Sequence, residues 1–226
     1  MDFECIILAG GPLSKPLLKL NKNLTLLDRQ IQWLKKYGCT KIILATSKNF
    51  IDSAEYVSWH LNHGTEDIYE SIETTDLGTA GAAKQAITVP YDNCCWSENP
   101  LVYVMNVDVL VNYNPTDLFE AVGTLNGAIL ISKPPFPYGR ISLRNGLIVR
   151  FQEKPCLDFY VSVGHYCFKV SEFLRTCPET GDLERTVLPK MAKERKLNAL
   201  KYKARWFRIK NDEDVLKGVR GEINEL

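Results

Sequence analysis

Short apolar runs alternate with helical patterns through the first half of the chain. Leu24, Leu27, Ile31 and Leu34 follow the i, i+3, i+4 spacing of one helix face. The apolar runs are typical of strands that are buried on both faces. The predicted strands span residues 5–9, 41–46, 67–72 and 101–105, and the predicted helices span residues 24–34, 53–63 and 78–86. This alternation of strand and helix predicts βαβ units and a mostly parallel sheet.

The second half is richer in strand patterns. Asn145-Gly146 lies between two apolar runs and is the sequence signal of a type I′ hairpin turn. The predicted strands here span residues 128–132, 140–143, 147–151, 160–168, 199–203 and 206–209, and the predicted helices span residues 171–174, 183–195 and 212–219. We therefore predict one α/β domain over residues 1–226, with a central sheet flanked by helices and a β-rich insertion.

Composition narrows the class of protein. The 226 residues are 45% apolar and 24% charged, with 28 Lys and Arg against 27 Asp and Glu. This is the balance of a folded globular protein, and it lacks the basic excess of a nucleic-acid binder. No apolar run approaches the roughly 20 residues that cross a bilayer, and acids precede the first apolar run, where a signal peptide needs basic residues. We expect a cytoplasmic protein that binds neither nucleic acid nor a membrane.

The seven cysteines are an odd number, and none of them forms a C-x-x-C pair. Neither a zinc knuckle nor a thioredoxin-like redox site is indicated. Most of them lie in apolar runs, where a free cysteine behaves as a small hydrophobic residue. We expect reduced thiols.

Two segments of small residues are candidates for contact with a ligand. Gly10 and Gly11 follow the first strand, where glycines let the backbone approach a phosphate or a base, and Lys15 follows closely enough to neutralise phosphate charge. Residues 78–81, Gly-Thr-Ala-Gly, open a helix, where small side chains allow flat contact with a ring. Each segment has a structural alternative, which is a tight strand-to-helix turn for the first and a close helix–strand crossing for the second.

Three charged residues are candidates for chemistry. Asp108 comes just after a buried strand, at the sheet edge where α/β proteins bind ligands, and a carboxylate there commonly holds Mg²⁺ against phosphates. Glu153 and Lys154 follow the predicted hairpin and could bind a sugar hydroxyl and a phosphate. The structural alternatives are a turn or cap aspartate for Asp108 and a solvated charge pair for the other two.

The order and spacing of several segments carry a family resemblance. The segments are ILAGG, KPLLKL, IQWLKKYGCTKIILATS, DLGTAGAAKQA, VYVMNVDVL, YGRISLRNGLIVRFQEKP, VSVGHYCF and VLPKMAKERKLNALKYKARWFRIKNDED. Over essentially the whole chain they resemble the sugar-1-phosphate nucleotidyltransferases, in particular the short mannose- or heptose-1-phosphate guanylyltransferases. The resemblance implies a GT-A/Rossmann-like fold, with a nucleotide-binding half over residues 1–127 and a sugar-phosphate-binding half over residues 128–226. It also implies the conversion of an NTP and a sugar 1-phosphate to an NDP-sugar and pyrophosphate, with Mg²⁺ required.

The same resemblance assigns roles to individual residues. In the family, the sugar phosphate attacks the α-phosphorus in line, and positioning and charge neutralisation carry the catalysis. By resemblance Lys15 and Lys154 would be catalytic, Asp108 would bind the metal, and Glu153 and Gly164 would bind the sugar. The residues that would frame the nucleobase are Leu8, Ala9, Gly10, Gly11, Gly78, Thr79, Ala80 and Gly81.

This sequence departs from the family pattern at the phosphate and metal positions. Only three residues separate Gly11 from Lys15, so the family's triphosphate loop and its Gly-x-Arg element are missing. Val107 and Ser162 stand where the family has Gly and Asn. Arg208 stands where the family has a second metal-binding Asp.

The exchange of Asp for Arg reverses the charge at the metal position. Two unit charges 4 Å apart interact by about 4 kcal/mol at an effective dielectric constant of ~20, so an attraction of that order becomes a repulsion. We therefore expect Arg208 to pair with Asp108 and Mg²⁺ binding to be weak or absent.

Two hypotheses follow from these observations. The first is a sugar-1-phosphate nucleotidyltransferase-like protein with impaired catalysis, whose partners are a nucleotide and a sugar phosphate. The second is a non-catalytic regulatory or scaffold subunit that binds a nucleotide or a sugar nucleotide, as a homo-oligomer or as a hetero-oligomer with an active homologue. A glycosyltransferase of related fold has less support, because Asp108 lies in Val-Asp-Val rather than in an Asp-x-Asp motif.

Overall fold

The computed structural model describes residues 2–10, 16–63, 66–88, 100–203 and 206–219, with side chains through residue 216 in the last range. The first half alternates strands and helices. Its strands are β1 (Phe3–Leu8), β2 (Lys19–Asn21), β3 (Leu24–Thr25), β4 (Cys39–Ser47), β5 (Ile68–Glu73), β6 (Leu101–Asn106) and β7 (Val109–Leu110). Its helices are α1 (Leu26–Lys36), α2 (Lys48–Ile51), α3 (Ala54–Asn62), α4 (Gly78–Thr88) and α5 (Thr116–Val122).

The second half adds strands and three helices. Its strands are β8 (Gly127–Ser132), β9 (Arg140–Arg144), β10 (Leu147–Gln152), β11 (Val161–Lys169), β12 (Leu197–Lys201) and β13 (Phe207–Arg208). Its helices are α6 (Val170–Thr176), α7 (Val187–Lys193) and α8 (Asp212–Val219). Helix α7 is shorter than the predicted span of residues 183–195, because Thr186 has a non-helical backbone with φ −121° and ψ −72°.

Seven strands form one sheet in the order β12-β8-β11-β6-β1-β4-β5. Strand β1 pairs in parallel with both β4 and β6, β4 with β5, and β8 with β12. Strand β11 runs antiparallel between β6 and β8. The predicted mostly parallel α/β sheet is confirmed. The chain leaves β1 towards β4 on one side and later returns to β6 on the other. Ligands of open α/β sheets bind at the carboxyl ends of the strands beside such a reversal.

Both faces of the sheet are buried. Along β1, Cys5 and Ile7 join one hydrophobic cluster with residues of α1 and α5, while Ile6 and Leu8 join a second cluster with residues of α4 and α6. Since successive side chains of a strand point to opposite faces, helices must cover both sides. This three-layer packing holds the strand ends rigidly in place.

Helix α1 begins two residues later than the apolar pattern predicts. Thr25 is its N-cap and accepts a hydrogen bond from the Asp28 N–H, while Asp28 accepts from the Thr25 N–H, so the two form a reciprocal capping box. Tyr37 is the C-cap of the helix, and Gly38 follows with φ +90°. The chain thus leaves the helix through a glycine that takes the left-handed backbone.

Strands β9 and β10 form a hairpin outside the main sheet, with Leu147 opposite Arg144. Asn145 and Gly146 at its turn both have positive φ, 49° and 78°, as the predicted type I′ turn requires.

The five cysteines among the described residues are free thiols, as expected. None of the helices in the described part of the chain is both long enough and apolar enough to cross a membrane.

Candidate functional site

A cleft of about 620 Å³ opens at the carboxyl ends of β1 and β6. Leu8 and Gly10 line it from β1, and Asn106, Val107 and Asp108 line it from β6. Parallel neighbours end at the same edge of a sheet, so the fold brings the first glycine turn and the aspartate together. Residues of both halves of the chain contribute to the walls.

One wall of the cleft is the start of α4. Gly78 and Thr79 line the cleft, whereas Ala80 and Gly81 are buried within the first turn of the helix. A Cβ on Gly81 would lie 2.3 Å from the carbonyl oxygen of Glu179. Only a glycine therefore lets the backbone at Glu179 pack this closely against α4. The small residues at the end of this segment are thus explained by close packing, the structural alternative given above, while Gly78 and Thr79 remain accessible to a ligand.

Glu73 lies beside the same wall, at the end of β5. Its Oε2 accepts a hydrogen bond from the Leu77 N–H at 3.2 Å, and its Oε1 lies 3.1 Å from the position a Cβ on Gly10 would take. Burial raises the pKa of Glu73 above its ordinary value, and the neighbouring Asp76 adds to the shift. A half-buried carboxylate therefore faces the segment predicted to bind the nucleobase.

Asp108 and Arg208 form an ion pair in the cleft. Arg208 Nε donates to Asp108 Oδ2 at 3.0 Å, which confirms the expected contact. The Asp108 side chain is 7% exposed and that of Arg208 is 51% exposed. The strand pairing of β7 with β13 sets Arg208 opposite Val109, and the Ile209 N–H donates to the Asp108 carbonyl. The backbone on both sides of the pair is thus fixed.

The loop that carries Asp108 is held from behind by α1. Gln30 Nε2 donates to the carbonyls of Val107 and Val109 at 3.0 and 2.7 Å, and so contacts the backbone on both sides of Asp108. Arg29 Nη2 donates to the Val111 carbonyl at 2.8 Å. Both side chains are buried, and burial lowers the pKa of Arg29 to about 10. These residues position the aspartate without reaching the cleft.

Hydrogen bonds through Glu184 connect β11 to the start of α4. Tyr166 Oη donates to Glu184 Oε1 at 2.9 Å, and Thr79 Oγ1 donates to Glu184 Oε2 at 3.3 Å. Gly164 has φ +79°, and a Cβ there would lie 2.7 Å from Asn106 Nδ2, so glycine is required by both backbone and space. Gly164 lines the cleft, in the half predicted to bind the sugar.

The structure does not bring every predicted site residue to the cleft. Glu153 and Lys154 are exposed at the end of β10, and neither is among the described residues that line the cleft. Ala9 is buried, and its N–H donates to the Ala45 carbonyl. Gly11 and Lys15 lie outside the described residues.

The described side chains that line the cleft are mostly acidic. Its lining includes five carboxylates and one guanidinium among the described residues, namely Glu73, Asp76, Asp108, Asp182, Glu184 and Arg208. Because the whole chain is nearly neutral, this concentration of acids is a local property. A phosphate that enters needs cations that these side chains do not supply.

Comparison with known proteins decides the family. A family model described as nucleotidyl transferase matches residues 6–208. The chain belongs to the nucleotidyl transferase family. The mannose-1-phosphate guanylyltransferase catalytic subunit beta of Dictyostelium discoideum is 27% identical over 241 residues, which cover 99% of this chain and 65% of that protein. The subunit of the same name in Drosophila melanogaster is 29% identical over 96% of this chain and 62% of that protein. This chain thus spans less than two thirds of these curated relatives.

Solved structures agree on the nucleotidyl transferase fold. The crystal structure of HddC from Yersinia pseudotuberculosis superimposes with a TM-score of 0.71 at 22% identity, covering 96% of this chain and 98% of that one. A structure of HddC complexed with GMP-PN gives a TM-score of 0.69 at 20% identity. At these identities the likeness shows the fold.

The described residues around Asp108 disfavour a Mg²⁺ ion. Within the described ranges no three side chains of His, Cys, Asp or Glu lie close enough together to hold a metal ion. Asp108, the predicted ligand, already accepts a hydrogen bond from a guanidinium, and a cation beside it repels a second cation. Hard cations such as Mg²⁺ bind through carboxylates that are free to coordinate them.

Sequence reasoning missed several residues of the site, among them Glu73, Glu184, Tyr166 and Gln30. Glu73 did have a signal, because it is the acid that follows a predicted parallel strand, as Asp108 does. Gln30 lies in the predicted helix, yet nothing in the pattern indicates that an amide there is buried. Glu184 and Tyr166 meet only through the tertiary fold.

Proposed function

We propose that this chain is a nucleotidyltransferase-like protein that binds a guanine nucleotide and a sugar phosphate in the cleft, with impaired catalysis. The observation that carries the proposal is the 3.0 Å contact between Arg208 Nε and Asp108 Oδ2. A metal ion would have to displace the guanidinium of Arg208, whose backbone is fixed by the pairing of β7 with β13. The short segment between Gly11 and Lys15 removes the family's arginine as well. Family membership supports the ligands, and these two departures support the loss of turnover.

Glu73 supports guanine as the base. Guanine presents two adjacent N–H donors on its pairing edge, and a carboxylate has two oxygens that accept only. Glu73 is half-buried next to Gly10 and Gly78, in the wall predicted to frame the base. Adenine presents no such pair of donors. The names of the relatives, which are guanylyltransferases, agree with this assignment.

Glu184 and Gly164 support a sugar site in the second half. Glu184 is oriented by Tyr166 and Thr79, and a carboxylate held in this way can accept hydrogen bonds from sugar hydroxyls. Gly164 leaves room beside Asn106. The catalytic roles of Lys15 and Lys154 and the sugar contact of Glu153 stay predictions from the resemblance.

A second candidate is a non-catalytic subunit that binds a nucleotide or a sugar nucleotide beside an active homologue. The same ion pair favours this candidate, because a subunit without turnover does not need Asp108 to bind a metal ion. Two relatives carry the words "catalytic subunit" in their names, so those proteins are described as parts of assemblies. The two candidates differ in turnover and not in the cleft.

The test is a panel of NTPs and sugar 1-phosphates with Mg²⁺, read by pyrophosphate release and by calorimetric binding. We expect GTP, GDP or a GDP-sugar to bind, and pyrophosphate release to fall well below the ~1–10³ s⁻¹ typical of enzymes. Release within that range would contradict impaired catalysis. Measurable binding with no release by any pair would favour the second candidate.

A substitution of Glu73 tests whether this residue recognises the guanine base. Glu73→Gln replaces one acceptor by a donor, so we expect at least a ~10-fold loss of guanine nucleotide affinity, about 1.4 kcal/mol. Glu55→Gln, on the exposed surface of α3, is the matched control and leaves affinity unchanged. Equal affinity of both variants for GDP would remove Glu73 from the base site.

A further inference from the structure

The hairpin of β9 and β10 has one apolar face and one basic face. The register pairs Leu143 with Ile148 and Ile141 with Phe151, and directly opposed residues of an antiparallel pair share a face. These four side chains form what we call the apolar face. The opposite face, which we call the basic face, carries Arg140, Ser142, Arg144, Leu147, Arg150 and Gln152.

The apolar face is open to solvent in this chain. Ile141, Leu143, Ile148 and Phe151 are 49%, 68%, 62% and 62% exposed. The hairpin is a separate two-stranded sheet, and a two-stranded hairpin alone is marginally stable in water. Strands that expose a continuous apolar face normally bury it against another layer. The hairpin thus leaves a continuous apolar face of this chain uncovered.

The hairpin is fixed at its base and extends away from the main sheet. Pro135 and Cys156 form a bridge, the Phe136 N–H donates to the Pro155 carbonyl, and the Leu157 N–H donates to the Pro134 carbonyl. This short ladder continues the direction of β8 and β11. A hairpin attached in this way projects from the main sheet as an arm, and its apolar face is accessible to a partner.

We propose that the apolar face is covered by the same face of a second copy of this chain, as two hairpins packed sheet on sheet about a two-fold axis. An isologous contact needs a surface that is complementary to itself. The apolar face meets this condition because its four side chains carry no charge. Residues 140–152 contain three arginines and no acid, and the arginines of the hairpin all lie on the basic face.

Charge decides between this arrangement and the other ways two hairpins could meet. Packing the basic faces together would bring six guanidinium groups into contact. Packing the apolar faces places the two sheets ~10 Å apart and leaves the arginines on the outer surfaces. There their repulsion is screened, since the Debye length is ~8 Å at physiological salt. An acidic partner would be drawn to the basic face, so it would leave the apolar face uncovered.

The area sets the strength of the contact. Phe buries ~150–250 Å², and the transfer free energy of a buried Ile or Leu corresponds to ~60–120 Å², so exposures of 49–68% leave roughly 200–400 Å² on each copy. The two copies together bury less than the ~1,200 Å² of a standard interface, which places the contact in the weak class. We therefore expect a dimer that forms and dissociates at micromolar concentration.

The experiment is sedimentation velocity of the full chain over ~1–200 µM, a range that brackets micromolar dissociation constants. Leu143 and Leu147 provide a matched pair, since they are 68% and 70% exposed and lie on opposite faces. We expect the unaltered chain and Leu147→Glu to shift from monomer to dimer with concentration. We expect Leu143→Glu to stay monomeric, or to need at least ~10-fold more protein to dimerise. Circular dichroism checks that each variant is folded, and Ile148→Arg replaces Leu143→Glu if that variant is not.

Three outcomes would overturn the proposal. The unaltered chain could be monomeric throughout the range. The dimer could persist in Leu143→Glu and Ile148→Arg, or be lost equally in Leu147→Glu. A monomer that binds vesicles of phosphatidylcholine and phosphatidylserine, but loses that binding in Leu143→Glu, would assign the apolar face to a lipid surface instead. Because none of these measurements uses the cleft, they stand apart from the proposed function.

Discussion

Substituting one residue of the Asp108–Arg208 ion pair should change the metal affinity of the cleft measurably. Arg208→Asp removes the guanidinium at 3.0 Å and adds a second carboxylate to the cleft. We expect Mn²⁺ or Mg²⁺ affinity to rise by at least ~10-fold, because an attraction of a few kcal/mol replaces a repulsion. Calorimetry measures this rise. Pyrophosphate release should recover much less, since the short segment after Gly11 is unchanged.

A control separates this effect from charge alone. Arg195→Asp makes the same charge change at an exposed residue that does not line the cleft. It should leave metal affinity unaltered. If both variants gain affinity equally, the ion pair does not control the metal site.

Gln30 is the second residue whose role a substitution can measure. Gln30→Leu removes both hydrogen bonds to the carbonyls beside Asp108 and leaves those acceptors buried. We expect a loss of about 1–3 kcal/mol in the free energy of unfolding, measured in urea. Gln32→Leu, in the same helix but exposed, should stay within ~0.5 kcal/mol of the unaltered chain. Equal effects of the two substitutions would contradict a positioning role.

The residues differ in how far the sequence could predict them. The contact of Arg208 with Asp108 was predictable, because the resemblance aligned a cation with a metal-binding position. The burial of Gln30 was not, since a polar residue in an amphipathic helix is normally solvated. Its place depends on where the loop after β6 crosses α1, which no local pattern encodes.

At the scale of elements, a substitution in α4 can distinguish the two explanations of its small residues, which are ligand contact and close packing. Glycine inside a helix usually costs about 1 kcal/mol relative to alanine, so Gly→Ala would normally stabilise. Here a Cβ on Gly81 would lie 2.3 Å from the Glu179 carbonyl, and backbone must move. We expect Gly81→Ala to lower the free energy of unfolding by about 1–3 kcal/mol. A stabilised variant in a urea titration would return Gly81 to a role in ligand contact.

Elements with strong local signals were predicted well. The turn Asn145-Gly146 follows from residue types whose backbone preferences leave few alternatives. The predicted helix over residues 183–195 was too long, because apolar spacing does not register the non-helical backbone of Thr186. The resemblance expected Glu153 and Lys154 to reach the sugar site, but both lie exposed at the end of β10. Their direction depends on how the hairpin is attached, which is a tertiary property.

At the scale of the whole molecule, charge is separated in a way that composition conceals. The formal net charge is +1. Yet five acids and one base among the described residues line the cleft, and three arginines without an acid lie in the hairpin. The convergence of Gly10, Gly78 and Asp108 followed from the parallel sheet, because strand order determines which loops meet. The sign of the cleft did not, since it requires the positions of Asp182 and Glu184 in three dimensions.

The pH dependence of global stability tests the core beneath the site. His165 on β11 is fully buried between Tyr103 and Trp33, and its Nδ1 is 2.7 Å from Tyr103 Oη. Burial lowers the pKa of His165 from 6.5 to about 3. Below pH 6.5 the unfolded chain therefore binds a proton that the folded chain does not, and the folded state loses stability as the pH falls.

The size of the stability loss follows from the difference in the pKa of His165 between the folded and unfolded chains. Between pH 7.5 and 5 this histidine should cost about 2 kcal/mol in the free energy of unfolding, with a slope approaching ~1.4 kcal/mol per pH unit. Urea titrations at several pH values measure this slope, and the window stays above the range where most carboxylates titrate. His165→Gln keeps a polar group near Tyr103 without a titrating proton, so it should be less stable at pH 7.5 but should lack that part of the slope. His60→Gln changes a half-buried histidine on α3 and should keep most of the slope. If His165→Gln and the unaltered chain lose stability in parallel, the buried imidazole is not the group whose protonation unfolds the core.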